Sequence, residues 1–133
     1  YSDQYIRKDH KKIHNYIKKN SLIIKNIFSL NISQSLVMDG NRIITIEDIF
    51  GTDYMIKKFK KLDEKFKNLI FIKSIKKDQI NEIDFPIVGN QTLDLLIKYN
   101  FKAVCLLNKN IIISNKSSFV ENIIKSNLSL IVI

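Results

Sequence analysis

Beyond residue 67 the chain alternates between two hydrophobic periods. Short apolar runs of strand length, "NLIFIKSI" (68–75), "KAVCLL" (102–107), "IIIS" (111–114) and "SLIVI" (129–133), are separated by segments with helical spacing, "QTLDLLIKYN" (91–100) and 117–126. Apolar runs too short for helices, interleaved with amphipathic helices, define the α/β class. The reading is one compact domain with a mixed β-sheet, an N-terminal helix and β-hairpin, and alternating strands and helices in the C-terminal half.

The first half is built differently. Across 3–28 the residues Ile6, Ile13, Tyr16, Ile17, Ile24, Ile27 and Phe28 recur at intervals of three and four, which predicts one amphipathic helix or two with an interruption at Asn20-Ser21. "QSLVMDGNRIITI" (34–46) holds two strand-like runs joined at Asp39-Gly40, a dipeptide that tolerates the positive φ angles of a tight hairpin. Met55, Ile56, Phe59, Leu62 and Phe66 then lie on one face of a further helix, with Lys57, Lys58, Lys60, Lys61 and Lys65 on its solvated side. Asn100 and Asn127 stand where those helices need a left-handed cap, a task asparagine performs in place of glycine. The three glycines, Gly40, Gly51 and Gly89, are thereby reserved for positions hostile to a side chain.

The 133 residues suffice for one core, and no apolar run reaches the roughly 20 residues of a membrane-spanning helix. The N-terminus "YSDQYIRKDHKK" is polar and gives no signal-peptide pattern, so a cytoplasmic location is expected. Cys105 is the sole cysteine; inside "AVCLL" it reads as a small buried thiol, not a nucleophile. The net charge is +9, almost wholly from lysine, since Arg7 and Arg42 are the two arginines. Base readout leans on bidentate arginine and stacking needs exposed aromatics among cations, so the charge points to anionic partners, phosphates or a lipid headgroup surface, and not to nucleic acid.

Three stretches join a strand end, a flexible backbone position and polar side chains: "EDIFGTD" (47–53), "KSIKKDQINEIDFP" (73–86) and "PIVGNQT" (86–92). Pro86 fixes φ and bars helix at Phe85, and Gly89 permits the close turn that opens the next helix. Gly51 and Gly89 both precede helix N-termini, where free amides favour anions; Lys73 and Lys76 lie nearby in sequence, and Glu47, Asp53 and Asp84 are available to a divalent cation. In purely structural terms, Thr52 or Asp53, and Asn90 or Thr92, are helix N-caps, and the lysines are solvated. His10 and His14 are four apart on the first helix, a metal-compatible spacing without a third ligand.

Taken in order, "ISQSLVMDGNRIITIEDIFGTDYMI", "FIKSIKKDQINEIDFPIVGNQTLDLL" and "KAVCLLNKNIIISNKSSFVENI" resemble the C-terminal domain of the LpxI-type UDP-2,3-diacylglucosamine pyrophosphatases. The resemblance runs from about Asn31 to the end. It implies a divalent-metal-dependent hydrolase of lipid A synthesis, with Mg2+ as cofactor, that splits the substrate's pyrophosphate to UMP and 2,3-diacylglucosamine 1-phosphate. It further implies an N-terminal domain as partner, so that 1–133 is the C-terminal domain of a longer protein (1–30 helical, 31–133 α/β), and peripheral contact with the inner membrane surface. The family's Gly-Gln falls on Ser33-Gln34, and its Val-Glu-Ala-x-Glu-Gly-Thr-Asp on 46–53, preserving Glu47, Gly51, Thr52 and Asp53. Its lysine-rich motif falls on Lys73, Lys76, Lys77, Gln79, Asp84, Pro86, Gly89 and Thr92. Phe50 and Ile80 stand where the family has acidic residues, and Glu82 where it has a basic one.

By that resemblance Asp84, Asp53 and Glu47 are catalytic, with Asp84 and Asp53 as metal ligands. Lys73, Lys76, Gln79, Gly51, Thr52, Gly89, Thr92 and Gln34 bind substrate phosphate. The alternative is a diverged, non-catalytic α/β module that binds an anionic ligand. Both imply the same behaviour toward DNA: salt-dependent binding that does not distinguish a chosen duplex from a random one. Competition binding checks this, and a preference above about a hundredfold, roughly 2.7 kcal/mol, would overturn it.

Overall fold

Five strands in the order β2-β1-β3-β4-β5 form the centre of the computed structural model, which describes residues 10–30, 33–61, 66–74, 90–107 and 118–132. The strand expected at 111–114 lies outside the described residues, as do Lys76, Gln79, Asp84 and Gly89. The strands are β1 (Ser35–Asp39), β2 (Arg42–Ile46), β3 (Leu69–Ser74), β4 (Ala103–Leu107) and β5 (Ser129–Val132). β1 pairs antiparallel with both β2 and β3, while β3, β4 and β5 are mutually parallel, so β2 to β5 all run one way and β1 runs against them. The sheet is therefore mixed, and the carboxyl ends of β2, β3 and β4 meet the start of β1 at one edge.

Alternation along each strand divides the core into two layers. Val37, Leu69, Phe71, Val104, Leu106 and Leu130 face α3 (Thr52–Lys57), α4 (Asn90–Lys98) and α5 (Ser118–Lys125), where Met55, Ile56, Leu93, Leu96 and Ile123 cover them. Leu36, Met38, Ile70, Ile72, Ala103, Cys105 and Ile131 face α1 (His10–Lys19) and α2 (Ser21–Ser29), which supply Ile13, Ile17 and Ile24. The N-terminal helical segment is thus two helices, broken at Asn20. Its side-chain amide donates to the Tyr16 carbonyl at 2.9 Å and reaches Asn41 in the hairpin turn. Cys105 is fully buried, and that burial pushes its thiol pKa up, as an inert core cysteine requires.

The hairpin turns at Gly40, where φ is 55°. One feature of it has no trace in the sequence pattern: the β1–β2 register shifts between Val37 and Met38, which pair with Thr45 and Ile43 and leave Ile44 as an extra residue. Such a bulge re-aims the side chains beyond it. Thr45 shares the face of Val37, and Glu47, whose amide donates to the Ser35 carbonyl at 3.0 Å, therefore lies on the α3/α4 side.

Two local expectations need correction. The helix after Gly51 is α-helical only to Lys57 and tightens to a 3-10 turn over Lys58–Lys61, a stretch in which like charges three and four apart oppose an extended α-helix. Phe59 still reaches the core and meets Phe66 and Phe101 edge-on, each at 5.8 Å between ring centroids. Asn127 is not a left-handed cap. α5 is closed instead by Ser126, whose hydroxyl donates to the Ile123 carbonyl at 2.9 Å and accepts the Leu128 amide at 3.1 Å.

Asn100 does take the left-handed conformation, with φ 60°. Its amide donates to Ile97 at 3.2 Å and the Phe101 amide to Leu96 at 3.0 Å, the two bonds of a Schellman motif, with Leu96 and Phe101 packed in the same core. Asn100→Ala is expected to cost about 1 kcal/mol of unfolding free energy, and Asn100→Gly to match or exceed the wild type. Denaturant titration of the two variants checks this pair.

Candidate functional site

At the edge where β1 begins and β2, β3 and β4 end, the sheet brings together residues from three separate stretches of sequence. Lys73 occupies the last turn of the β3 ladder directly opposite Ser35 of β1, so both side chains share the α3/α4 face. Glu47 follows β2 onto that same face. Gly51 then opens α3 with φ 94° and ψ 176°, a backbone state essentially confined to glycine, although a Cβ there would meet nothing within 4 Å. The constraint on Gly51 is conformational, not a lack of space.

The threonines are not helix caps. Gly51 is the N-cap of α3 and makes no side-chain cap bond. The Thr52 hydroxyl donates instead to Glu47, and the Thr92 hydroxyl, from the first turn of α4, donates to Asp53. The second bond ties α3 to α4 across 39 positions of sequence. Each threonine engages one oxygen of its carboxylate, and the other oxygen has no bond among the described residues. α3 has six residues, too few for a strong dipole, so the anion site expected at its N-terminus is replaced by this side-chain cluster.

Lys73 is half-buried rather than solvated. Desolvation lowers its pKa below the ordinary lysine value, and the nearby charges of Glu47 and Asp53 draw it partly back. Among the described residues the carboxylates have threonine hydroxyls as partners, and the lysine lies within their field without pairing to either. Ser35 is the residue that sequence reasoning missed. Its hydroxyl is buried beside Lys73 with no hydrogen-bond partner among the described residues, and a serine at the head of an apolar strand carries no signal of that.

Of the residues predicted from sequence, Glu47, Gly51, Thr52, Asp53, Lys73 and Thr92 gather here. Gln34 is exposed at the same edge, its carbonyl accepting the Ser74 amide at 2.9 Å. Asp84, Lys76, Gln79 and Gly89 lie outside the described residues. Two carboxylates are hard oxygen donors suited to a cation such as Mg2+, which takes one or two of them and completes its shell with phosphate oxygens and water. No group of three or more His, Cys, Asp or Glu assembles among the described residues, His14 included. A cavity of about 530 Å³ opens at the opposite end of the sheet, lined by Phe66, Lys67, Asn100, Lys102 and neighbours; it holds no carboxylate among the described residues, whereas the carboxylates gather at the other edge.

The molecule is thus an α/β domain with a mixed-charge cluster beyond the carboxyl ends of its parallel strands, where open α/β sheets bind ligands. A model of the LpxI C-terminal domain family matches residues 3–131, and the chain belongs to that family. Membership sets it in the context of lipid A biosynthesis. No curated protein matches the chain. No helix among the described residues is long and apolar enough to cross a membrane.

The Lys73 environment has a consequence for stability. Where the amine is charged in both folded and unfolded states, its desolvation destabilises the fold. Between its lowered folded pKa and 10.5 the unfolded chain holds a proton that the folded one lacks, so stability rises with pH across that window. Lys73→Met is therefore expected to raise the melting temperature at pH 7, with the gain shrinking as the pH approaches 10.5; thermal melts of both proteins across that range check the sign.

Proposed function

We propose that this chain is the C-terminal domain of a divalent-metal-dependent pyrophosphatase that hydrolyses UDP-2,3-diacylglucosamine to UMP and 2,3-diacylglucosamine 1-phosphate. The observation that carries the reading is the convergence of Glu47 and Asp53, Lys73 and Thr92, from three stretches of the chain, on one sheet edge at the start of α4. Two acidic groups and a desolvated amine suit a substrate with two adjacent phosphoryl groups, because the amine offsets their charge where solvent screening is weak.

In this reading Glu47 and Asp53, together with Asp84, would hold the cation. A divalent cation held there would supply Lewis-acid chemistry, polarising a phosphoryl oxygen and lowering the pKa of a water. Lys73 neutralises the pyrophosphate, and Thr52 and Thr92 keep the two carboxylates oriented. The attacking water oxygen forms a new bond to phosphorus as the bridging P–O bond breaks, and Asp84 orients that water. Lys76, Gln79 and the Gly89 turn complete the phosphate contacts, and an N-terminal domain closes over the nucleotide-lipid. A diverged, non-catalytic module is the rival reading, favoured by Phe50 and Ile80 in place of the family's acidic residues and Glu82 in place of its basic one.

Asp53→Asn separates the two. Asparagine keeps an oxygen to accept the Thr92 hydroxyl and removes the charge, so the fold should hold while kcat/KM in the whole protein falls at least about a hundredfold, roughly 2.7 kcal/mol of transition-state stabilisation. Asp84→Asn is expected to match it. Wild-type activity in both variants, or no hydrolysis by the unaltered whole protein with Mg2+ supplied, would favour the non-catalytic module.

A further inference from the structure

The loop that joins Glu47 to Thr52 is a tight turn with its two largest apolar side chains at the tip. The Gly51 amide closes the turn on the Asp48 carbonyl at 3.1 Å, and the Phe50 amide donates to the Asp48 carboxylate at 2.9 Å. Those bonds fix Ile49 and Phe50 at the two central positions, where polar residues and glycine are the rule. Ile49 is 95% exposed and Phe50 68% exposed. Tyr54, itself half in solvent, extends the surface one helical turn further, its ring 5.3 Å from that of Phe50 at an interplanar angle of 40°. A rigid turn holding an isoleucine and a phenylalanine in water is an interaction surface, not a lapse of burial.

The charges around it indicate what it meets. Lys58 stands with its ammonium 5.4 Å from the centre of the Tyr54 ring and 3.9 Å from the Asp48 carboxylate, so the one exposed acid of the turn faces a cation. Lys57 is exposed beside it, and the chain as a whole carries +9. Apolar tips backed by an aromatic with a polar end and by lysines match the layering of a bilayer surface: acyl boundary, headgroup belt, anionic phosphates. The Phe50 and Gly51 amides are bonded within the turn, and the cations beside it suit an anionic surface.

We propose that the turn 48–51 is a membrane-docking element: Ile49 and Phe50, with Tyr54 behind them, enter the headgroup layer of an anionic phospholipid bilayer while Lys57 and Lys58 lie against the phosphates. Docking there is peripheral. Because the turn is flanked by Glu47 and Thr52, it sets the polar cluster directly at the lipid surface, so an amphiphile reaches the cluster without leaving the bilayer plane. The inference does not depend on hydrolysis and stands or falls apart from the pyrophosphatase reading.

The chain contains no tryptophan, so Ile49→Trp installs one reporter at the tip. With vesicles of phosphatidylcholine and phosphatidylglycerol, its emission should shift to the blue and be quenched by lipids brominated on the acyl chain, and less so with phosphatidylcholine alone. In cosedimentation, the double variant Ile49→Ser/Phe50→Ser should lose at least about tenfold in partition to the mixed vesicles, with an unchanged melting temperature because both side chains are already exposed. Absence of quenching overturns the proposal, as does equal partition of wild type and double variant, which would leave binding to scattered lysines. Concentration-dependent dimers in sedimentation velocity that the double variant abolishes would also overturn it, since the turn would then be covered by a second copy.

Discussion

Everything at the sheet edge depends on β1 and β3 being buried on both faces. Leu36, Val37 and Met38 are wholly inaccessible, as are Ile70, Phe71 and Ile72, and they alternate between two helical layers. A slip of one residue in their pairing would send Phe71 to the α1/α2 side and carry Lys73 among Ile13, Ile17 and Ile24. Burying a lysine ammonium in that layer without a partner is far costlier than any local gain. Packing on two sides thus holds the register, and the register holds Lys73 opposite Ser35, at the edge where Glu47 and Asp53 can act on it.

The cluster itself is strained in an electrostatic sense. A half-buried lysine would ordinarily draw its carboxylates into direct pairs, yet Glu47 and Asp53 accept threonine hydroxyls and offset the desolvation of Lys73 only in part. Ser35 adds a buried hydroxyl with no partner among the described residues. Groups held short of full satisfaction in one place are what an anionic ligand would complete, and natural folds tolerate such deficits mainly where a ligand binds. The Asp53–Thr92 bond also makes the site part of the scaffold, because it joins α3 to α4 directly.

The turn 48–51 shows how a sequence departure acquires meaning from its position. Phe50 stands where the motif that the sequence resembles has an acid, and on its own it reads as a loss. In the fold it is paired with Ile49 at the tip of a hydrogen-bonded turn and stacked near Tyr54, outside the polar cluster. Asp48, two positions earlier, supplies the turn's bond.

The sequence by itself determined the element types. Period-two and period-four patterns mark β1 to β5 and the helices, Asp39-Gly40 marks the hairpin, Asn100 marks a left-handed helix end and "AVCLL" marks a buried thiol, because each of these follows from local backbone preference or from burial of the residue's own face. The ordered motifs likewise carried the family and named Glu47, Thr52, Asp53, Lys73 and Thr92. What tertiary structure decided is how those residues meet. The extra residue at Ile44 turns Glu47 toward Lys73; Thr92 bonds Asp53 instead of its own helix end; Ser126 and not Asn127 closes α5; α3 stops after six residues. Each outcome is a competition between a local preference and a contact with a distant part of the chain, and a string of residues records only the first competitor.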